Sequence, residues 1–409
     1  MTKKLIAILI VILLLAGGAW LWWGRASSPA GTSGEPLSGA SPFGTPEGGV
    51  ANIPAAQPSF EGEVAPLVAP STQDNGQADK LRLFKLESSP VAGFVALTRG
   101  TSTVVRYTER GTGHIFETKL PDVQKVRLTN ETLPQIYEAY FRQDGGVVLY
   151  RTLDESDVVR NMALTLTPPR GTSTEALYTI SMTALRGQID SISSGPGDVL
   201  TYVLKDTQTI TSSKFNGDGV KNLWSGAFTS WRTGRLGTGT FVFTKPSASL
   251  PGYAYSLASQ SLTKLIGPLN GLVVTANPAG TYLIYSYSAG NTTRLSTRGV
   301  KAGVPADLSP ATLADKCVGS AQGVAIFFCG APTRGLTGRE PDQWYQGKTH
   351  FSDEIWRFDA ISQGATLIAE LEGEFGVTLD VSSPALSSDE RYFIFINKND
   401  LSLWALSLR

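Results

Sequence analysis

Histidine and cysteine are almost missing from this chain: 409 residues hold only His114, His350, Cys317 and Cys329. Two cysteines cannot build a disulfide scaffold. Two distant histidines without His-x-x-x-His spacing cannot build a catalytic zinc site. No metal and no cofactor is therefore expected. An excess of charge of either sign is missing too, since Lys plus Arg and Asp plus Glu both number 35. No Lys/Arg-rich run occurs, so nucleic acid is not expected as a partner. Apolar patterns with a 3.6-residue period over a dozen residues are absent, which argues against long amphipathic helices. Glycine (43) and proline (23) are plentiful instead. That balance suits many turns joining short strands.

The longest apolar run lies at the start. Lys3 and Lys4 precede an unbroken stretch from Leu5 to Trp23, and the next charge is Arg25. As a helix its length is about 28 Å, close to the roughly 30 Å of a bilayer core. Trp20, Trp22 and Trp23 sit at its far end, where indoles favour the headgroup layer. The lysines on the near side predict a cytoplasmic N-terminus, so residues 1–25 read as a cytoplasmic tip and a single-pass signal anchor. The competing reading is a cleaved signal peptide, with Ala16-Gly17-Gly18-Ala19 as the small-residue site. Either way the remainder faces out of the cytoplasm. From Ala26 to Lys80, 35 of the 55 residues are Gly, Pro, Ser, Ala or Thr. Such a segment has too little apolar surface to offset its ordering entropy and is expected to be a disordered spacer.

From Leu81 onward the pattern changes to runs of strand length: Val91–Leu97, Thr103–Tyr107, Val147–Tyr150, Val199–Leu204, Thr240–Phe243, Tyr282–Tyr287, Val324–Phe328, Tyr392–Ile396 and Ser402–Leu408. Turn signals fall between them, among them Asp144-Gly145-Gly146 and Lys398-Asn399-Asp400. Two stretches match each other. Tyr255–Ile266 with Gly267–Ser288, and Trp356–Ile368 with Ala369–Asn397, each read strand, turn, strand, loop, strand, Pro-containing turn, strand. Their starts are 101 residues apart (356 − 255), about two units of 50. A weaker copy, Gly113–Asn130, lies about three units earlier. Four strands in each 40–50 residues is the mark of propeller blades. Residues 81–409 are thus predicted to form an all-β propeller of about seven four-stranded blades.

Ser383-Pro-Ala-Leu-Ser-Ser-Asp-Glu-Arg-Tyr-Phe-Ile-Phe, followed by Leu403-Trp404, resembles the blade of TolB-like and WD40-like β-propellers. Asn277-Pro-Ala-Gly-Thr-Tyr-Leu-Ile-Tyr is a second instance. Phe243–Tyr255 and Asp342–Gly347 also resemble segments of membrane-anchored bacterial propellers. The resemblance implies the fold over 81–409 and no particular activity; the Trp-Asp dipeptide of WD40 repeats is missing.

No catalytic constellation stands out. A Gly-x-Ser-x-Gly elbow is absent, and so is a peptidase-sized segment after the blades. Asn216-Gly217-Asp218 loosely matches a calcium loop but lacks the twelfth-position Glu, and it reads as a tight turn. Glu370, Glu372 and Glu374 would point one way in an extended chain and read as a solvated loop rather than a glycosidase pair. The insertion between Gly330 and Trp356 carries Arg334, Arg339, Trp344, Tyr345 and Phe351, residue types favoured in binding surfaces. The alternative reading is that Trp344 and Tyr345 fold back to cover the rim of the ring. Cys317 and Cys329 flank a turn at Ala321-Gln322-Gly323, which would place them opposite each other and close enough to bridge in an oxidising compartment.

Ring closure needs the first and last blades joined. After Trp404 the last blade is one strand short, and Leu81–Leu86 alternates like a half-buried strand. The expectation is that 81–86 completes the last blade against 401–408. Together these readings predict a membrane-tethered, extracytoplasmic propeller that acts as a protein or glycan interaction module of the cell envelope. The alternatives are a hydrolase of envelope polysaccharide and a structural or assembly factor of a membrane complex.

Overall fold

The computed structural model describes residues 82–156, 158–169, 177–228 and 230–409. The expected anchor at 5–23 and spacer at 26–80 lie outside them. Among the described residues no helix is long and apolar enough to cross a membrane.

Seven four-stranded antiparallel sheets follow one another along the chain. First strands of neighbouring sheets touch, as Val91–Arg99 does with Ile136–Phe141 and with Val381–Leu386. These first strands line the centre: Val91–Arg99, Ile136–Phe141, Ile189–Ser194, Trp231–Leu236, Val273–Ala276, Cys317–Gly319 and Val381–Leu386. The molecule is thus a seven-bladed propeller, and blades are numbered from Val91.

The second strand of each blade is packed on both faces. Val147–Leu153 and Tyr392–Asn397 are buried along nearly their whole length, whereas the outermost strand Gln124–Arg127 is exposed throughout. Seven of the nine apolar runs quoted above match the second strands, while Val91–Leu97 lies in the first strand of blade 1 and Ser402–Leu408 in the third strand of blade 7. A strand covered on both sides must be apolar at successive positions, so it stands out in sequence. Apolar clusters fill the space between blades, for example Leu83, Ile355, Val381, Phe393 and Phe395 between blades 6 and 7.

The last blade takes its outermost strand from the other end of the chain. Leu83–Glu87 pairs with Leu403–Ser407, with Leu83 opposite Leu406 and Lys85 opposite Trp404. Leu83, Phe84 and Leu86 are buried there. The Val91 amide donates to the Leu401 carbonyl at 2.9 Å, tying blade 1 to blade 7.

The blade-tail motifs explain themselves in the turns from first to second strand. Asn277 Oδ1 accepts the Thr281 and Tyr282 amides, both at 2.9 Å. Ser387 Oγ accepts the Tyr392 amide at 3.0 Å and donates to Asp389 at 2.7 Å. One polar side chain per turn satisfies the amides that the reversal leaves free.

Candidate functional site

The insertion in blade 6 runs across one face of the ring, the face formed by the second-to-third-strand turns and the connections between blades. Three neighbours hold it. Thr293 Oγ1 of blade 5 donates to the Thr337 carbonyl at 2.8 Å, and Ser288 Oγ to the Glu340 carbonyl at 2.9 Å. Asp342 Oδ2 accepts the Ala248 amide of blade 4 at 3.1 Å. The approach at Gly338 admits no side chain, since a Cβ there would lie 2.3 Å from the Gly290 carbonyl oxygen.

A short helix, Asp342–Tyr345, then turns its aromatics inward. Trp344 is 4% exposed. Its indole N–H donates to both oxygens of Asp380 at 3.1 Å. Asp380 also accepts the Phe351 amide at 3.1 Å and contacts Lys316 Nζ. Lys316 Nζ reaches Asp353 Oδ2 at 2.7 Å, and neither of those side chains, nor Asp380, touches solvent. The rings of Trp344 and Phe351 lie 5.0 and 4.9 Å from the ammonium. Burial pushes the Asp353 carboxyl up to about 6; Lys316 opposes the rise and Asp380 adds to it. Burial pulls Lys398, which lies over Trp344, below the usual ammonium range. Tyr345 donates its hydroxyl to Asp315, and Arg232 of blade 4 lies over its ring at 4.4 Å.

The residues singled out in sequence therefore divide. Trp344 is an internal post and offers no exposed stacking face; the reading in which the aromatics fold back is the one the structure displays. Tyr345 and Phe351 are partly buried beside it, while Arg334 and Arg339 are exposed on the insertion. Cys317 and Cys329 are register partners on neighbouring strands with Cα atoms 4.1 Å apart, and they form a disulfide. Asn216 and Asp218 bond to each other in a tight turn. Glu372 and Glu374 lie in the short helix Leu371–Phe375 rather than in an extended chain, because Glu374 accepts the Glu370 amide at 2.9 Å.

Beside the insertion a cavity of about 710 Å³ opens in the centre, lined by the first strands of blades 2 to 5. Its carboxylates are all paired. Glu138 meets Arg151 at 2.7 Å, Asp190 meets Lys245 at 2.6 Å, and Asp315 meets Arg232 at 3.0 Å. Arg235 is a fourth cation in this wall, and its Nε donates to the Gly237 carbonyl at 2.7 Å. Each of these three carboxylates thus faces a cation. Among the described residues no group of His, Cys, Asp or Glu is placed to hold a metal ion.

A second cavity of similar volume, about 710 Å³, lies where blade 3 meets blade 4. Its walls are Trp224, Phe228, Trp231, Tyr253 and Tyr255, with Pro246, Leu250 and Pro251 at the rim. Trp231 is the hub. Phe228, Trp224 and Tyr255 meet it edge to face at 4.7, 5.8 and 5.9 Å between ring centres. The apolar rim is open to solvent, with Leu250 64% and Phe228 44% exposed. The Trp231 indole N–H is buried and has no hydrogen-bond partner among the described residues. Lys245 borders both cavities. Sequence reading missed this cleft because its aromatics come from two stretches, 224–231 and 253–255, which only the packing of blade 3 against blade 4 brings together.

No family model matches the chain, and no curated protein matches it. Solved structures do. A streptogramin B lyase superposes with a TM-score of 0.50 at 12% identity, over 80% of this chain and 97% of its own. Selenomethionine-substituted virginiamycin B lyase from Staphylococcus aureus gives 0.50 at 13% identity, over 80% of this chain and 99% of its own. TolB from Acinetobacter baumannii gives 0.39 at 14% identity, over 62% of this chain and 58% of its own, too slight a likeness to argue from. At these identities the lyase matches show a shared fold and nothing of activity.

Proposed function

We propose that this chain is a membrane-tethered, extracytoplasmic interaction module of the cell envelope, and that its partner is a protein segment seated in the aromatic cleft between blades 3 and 4. Residues 5–23 supply the anchor and 26–80 the spacer. The Cys317–Cys329 disulfide supports an oxidising location, since such bonds persist outside the reducing cytoplasm.

One observation carries the choice of partner. The cleft combines a nearly continuous apolar wall with a buried donor, Trp231 Nε1, that has no partner among the described residues. A buried polar group without a partner costs about 1–3 kcal/mol, and a ligand carbonyl would remove that cost. An extended peptide offers apolar side chains and one acceptor per residue, the match used by aromatic grooves that bind proline-rich segments. A glycan offers mostly hydroxyls, for which the apolar wall has few partners.

The test titrates the purified full-length chain with an array of apolar and proline-containing decapeptides, and separately with soluble cell-wall oligosaccharides, reading tryptophan fluorescence. Peptide binding that weakens about tenfold in Trp231→Phe supports the reading, a tenfold change being about 1.4 kcal/mol. Oligosaccharide binding with no peptide bound would overturn it. For location, an impermeant thiol reagent should label a Ser59→Cys chain in intact cells, and labelling only after lysis would sink the topology.

A further inference from the structure

Lys316, Asp353 and Asp380 lie outside both cavities, and the function proposed above does not use them. All three are fully buried, and they bring two carboxyl groups to one ammonium. Their surroundings are apolar and aromatic: Trp344 and Phe351 cover the ammonium. The Asp380 carboxyl is held by directed donors: Oδ2 accepts the Phe351 amide and shares the Trp344 indole N–H with Oδ1, each at 3.1 Å, and Oδ1 also faces Lys316 Nζ. Asp353 holds its Oδ2 toward the same ammonium at 2.7 Å and leaves its Oδ1 without a partner.

This is more than an ion pair requires. It places a nucleophile, a carbonyl carbon, two donors aimed at one of that carbon's oxygens, and a proton carrier in one dry pocket. We infer that Lys316 and Asp380 become joined by a side-chain amide formed by the folded chain itself, with Asp353 as the proton carrier. Charge is costly where no water reaches, and condensation replaces one buried cation and one buried anion by a neutral amide. Fixed proximity removes the entropic barrier that makes such condensations slow in solution.

The step balances without any co-reactant. Asp353 takes a proton from the Lys316 ammonium, and the freed amine attacks Cγ of Asp380. Negative charge on the tetrahedral carbon's Oδ2 is met by Trp344 Nε1 and the Phe351 amide, the arrangement that stabilises such intermediates. The Cγ–Oδ1 bond breaks and the oxygen leaves as water. Both of its protons come from Nζ by way of Asp353, which ends as it began. The bond would tie the connection entering blade 6 to the connection entering blade 7, directly beneath the insertion.

Peptide mass mapping of the purified full-length chain, reduced and digested with trypsin, tests this. Lys316 acylated on Nζ resists cleavage, so 302–334 should appear uncut, joined to 358–391 and lighter than the sum of the two by one water. Separate peptides cut after Lys316, at full mass, would overturn the proposal. So would a loss of water that maps instead to Asp144-Gly145 or Asp218-Gly219, where a backbone succinimide could form. In Asp353→Asn the link should disappear while near-ultraviolet circular dichroism stays that of the parent chain. A folded Asp353→Asn chain that links as fully as the parent would remove Asp353 from the role.

Discussion

The insertion over blade 6 and the cleft between blades 3 and 4 are both rich in aromatics, yet they spend them in opposite ways. In the insertion, Trp344 is buried and its N–H is doubly satisfied by Asp380. In the cleft, Trp231 is just as buried and its N–H has no partner among the described residues, under a rim that exposes Phe228 and Leu250. The first arrangement is a small polar core closed by indole and phenyl rings. The second is an unfinished one. What separates a structural aromatic cluster from a recognition surface is whether its polar atoms are already satisfied, and composition alone does not record that.

Substitutions can break this comparison. The largest effect is expected from Lys316→Met, which strands two carboxyl groups in the dry pocket and should cost about 3–5 kcal/mol, read as a lower denaturant midpoint. Gly338→Val comes next. Its side chain has no room against the Gly290 carbonyl, so the insertion must lift, at about 1–3 kcal/mol and with a change in Trp344 fluorescence. Smaller still is a pH effect. The Asp353 carboxyl sits at about 6 against an ordinary 3.8, so the folded state holds this proton more tightly than the unfolded one. Its contribution is fully present below the ordinary value and is lost as pH rises toward about 6. Asp353→Asn should remove that slope, seen as a Tm difference between the two chains that changes across this interval and is constant above it. The smallest change in stability belongs to Trp231→Phe. Deleting an unsatisfied donor should leave stability equal or raise it by about 1 kcal/mol, while peptide binding falls. A Trp231→Phe chain that is strongly destabilised would place the cleft with the insertion as structure.

These outcomes bear on how much was legible beforehand. The ring was legible because each blade has one strand packed on both sides, and such strands carry apolar residues at successive positions. Tyr392–Asn397 and Val147–Leu153 announce themselves for that reason, while the exposed outer strand Gln124–Arg127 does not. The closing strand could be found because Leu83, Phe84 and Leu86 must be buried to seal the last blade. The sites were less legible. Trp344 and Tyr345 adjoin in sequence and so attracted a binding role, but their fate depends on Asp380 and Asp315, which lie 36 and 30 positions away. Nothing in the sequence around Lys316, Asp353 and Asp380 marks them. Only the ring brings them to one point.

The clasp of the ring has a mechanical meaning. Leu83–Glu87 both completes blade 7 and continues directly into the chain that precedes it. Tension transmitted through that preceding segment reaches Arg82 first, and from there the pairing of Leu83 with Leu406 and of Lys85 with Trp404. The strand that closes the ring is thus also the one at which the preceding chain joins it. A pull strong enough to peel it away would open blade 7 before any other blade feels strain. With its clasp undone, the ring would expose the edge of Leu403–Ser407, a row of unpaired amides and carbonyls ready to take up a strand from elsewhere.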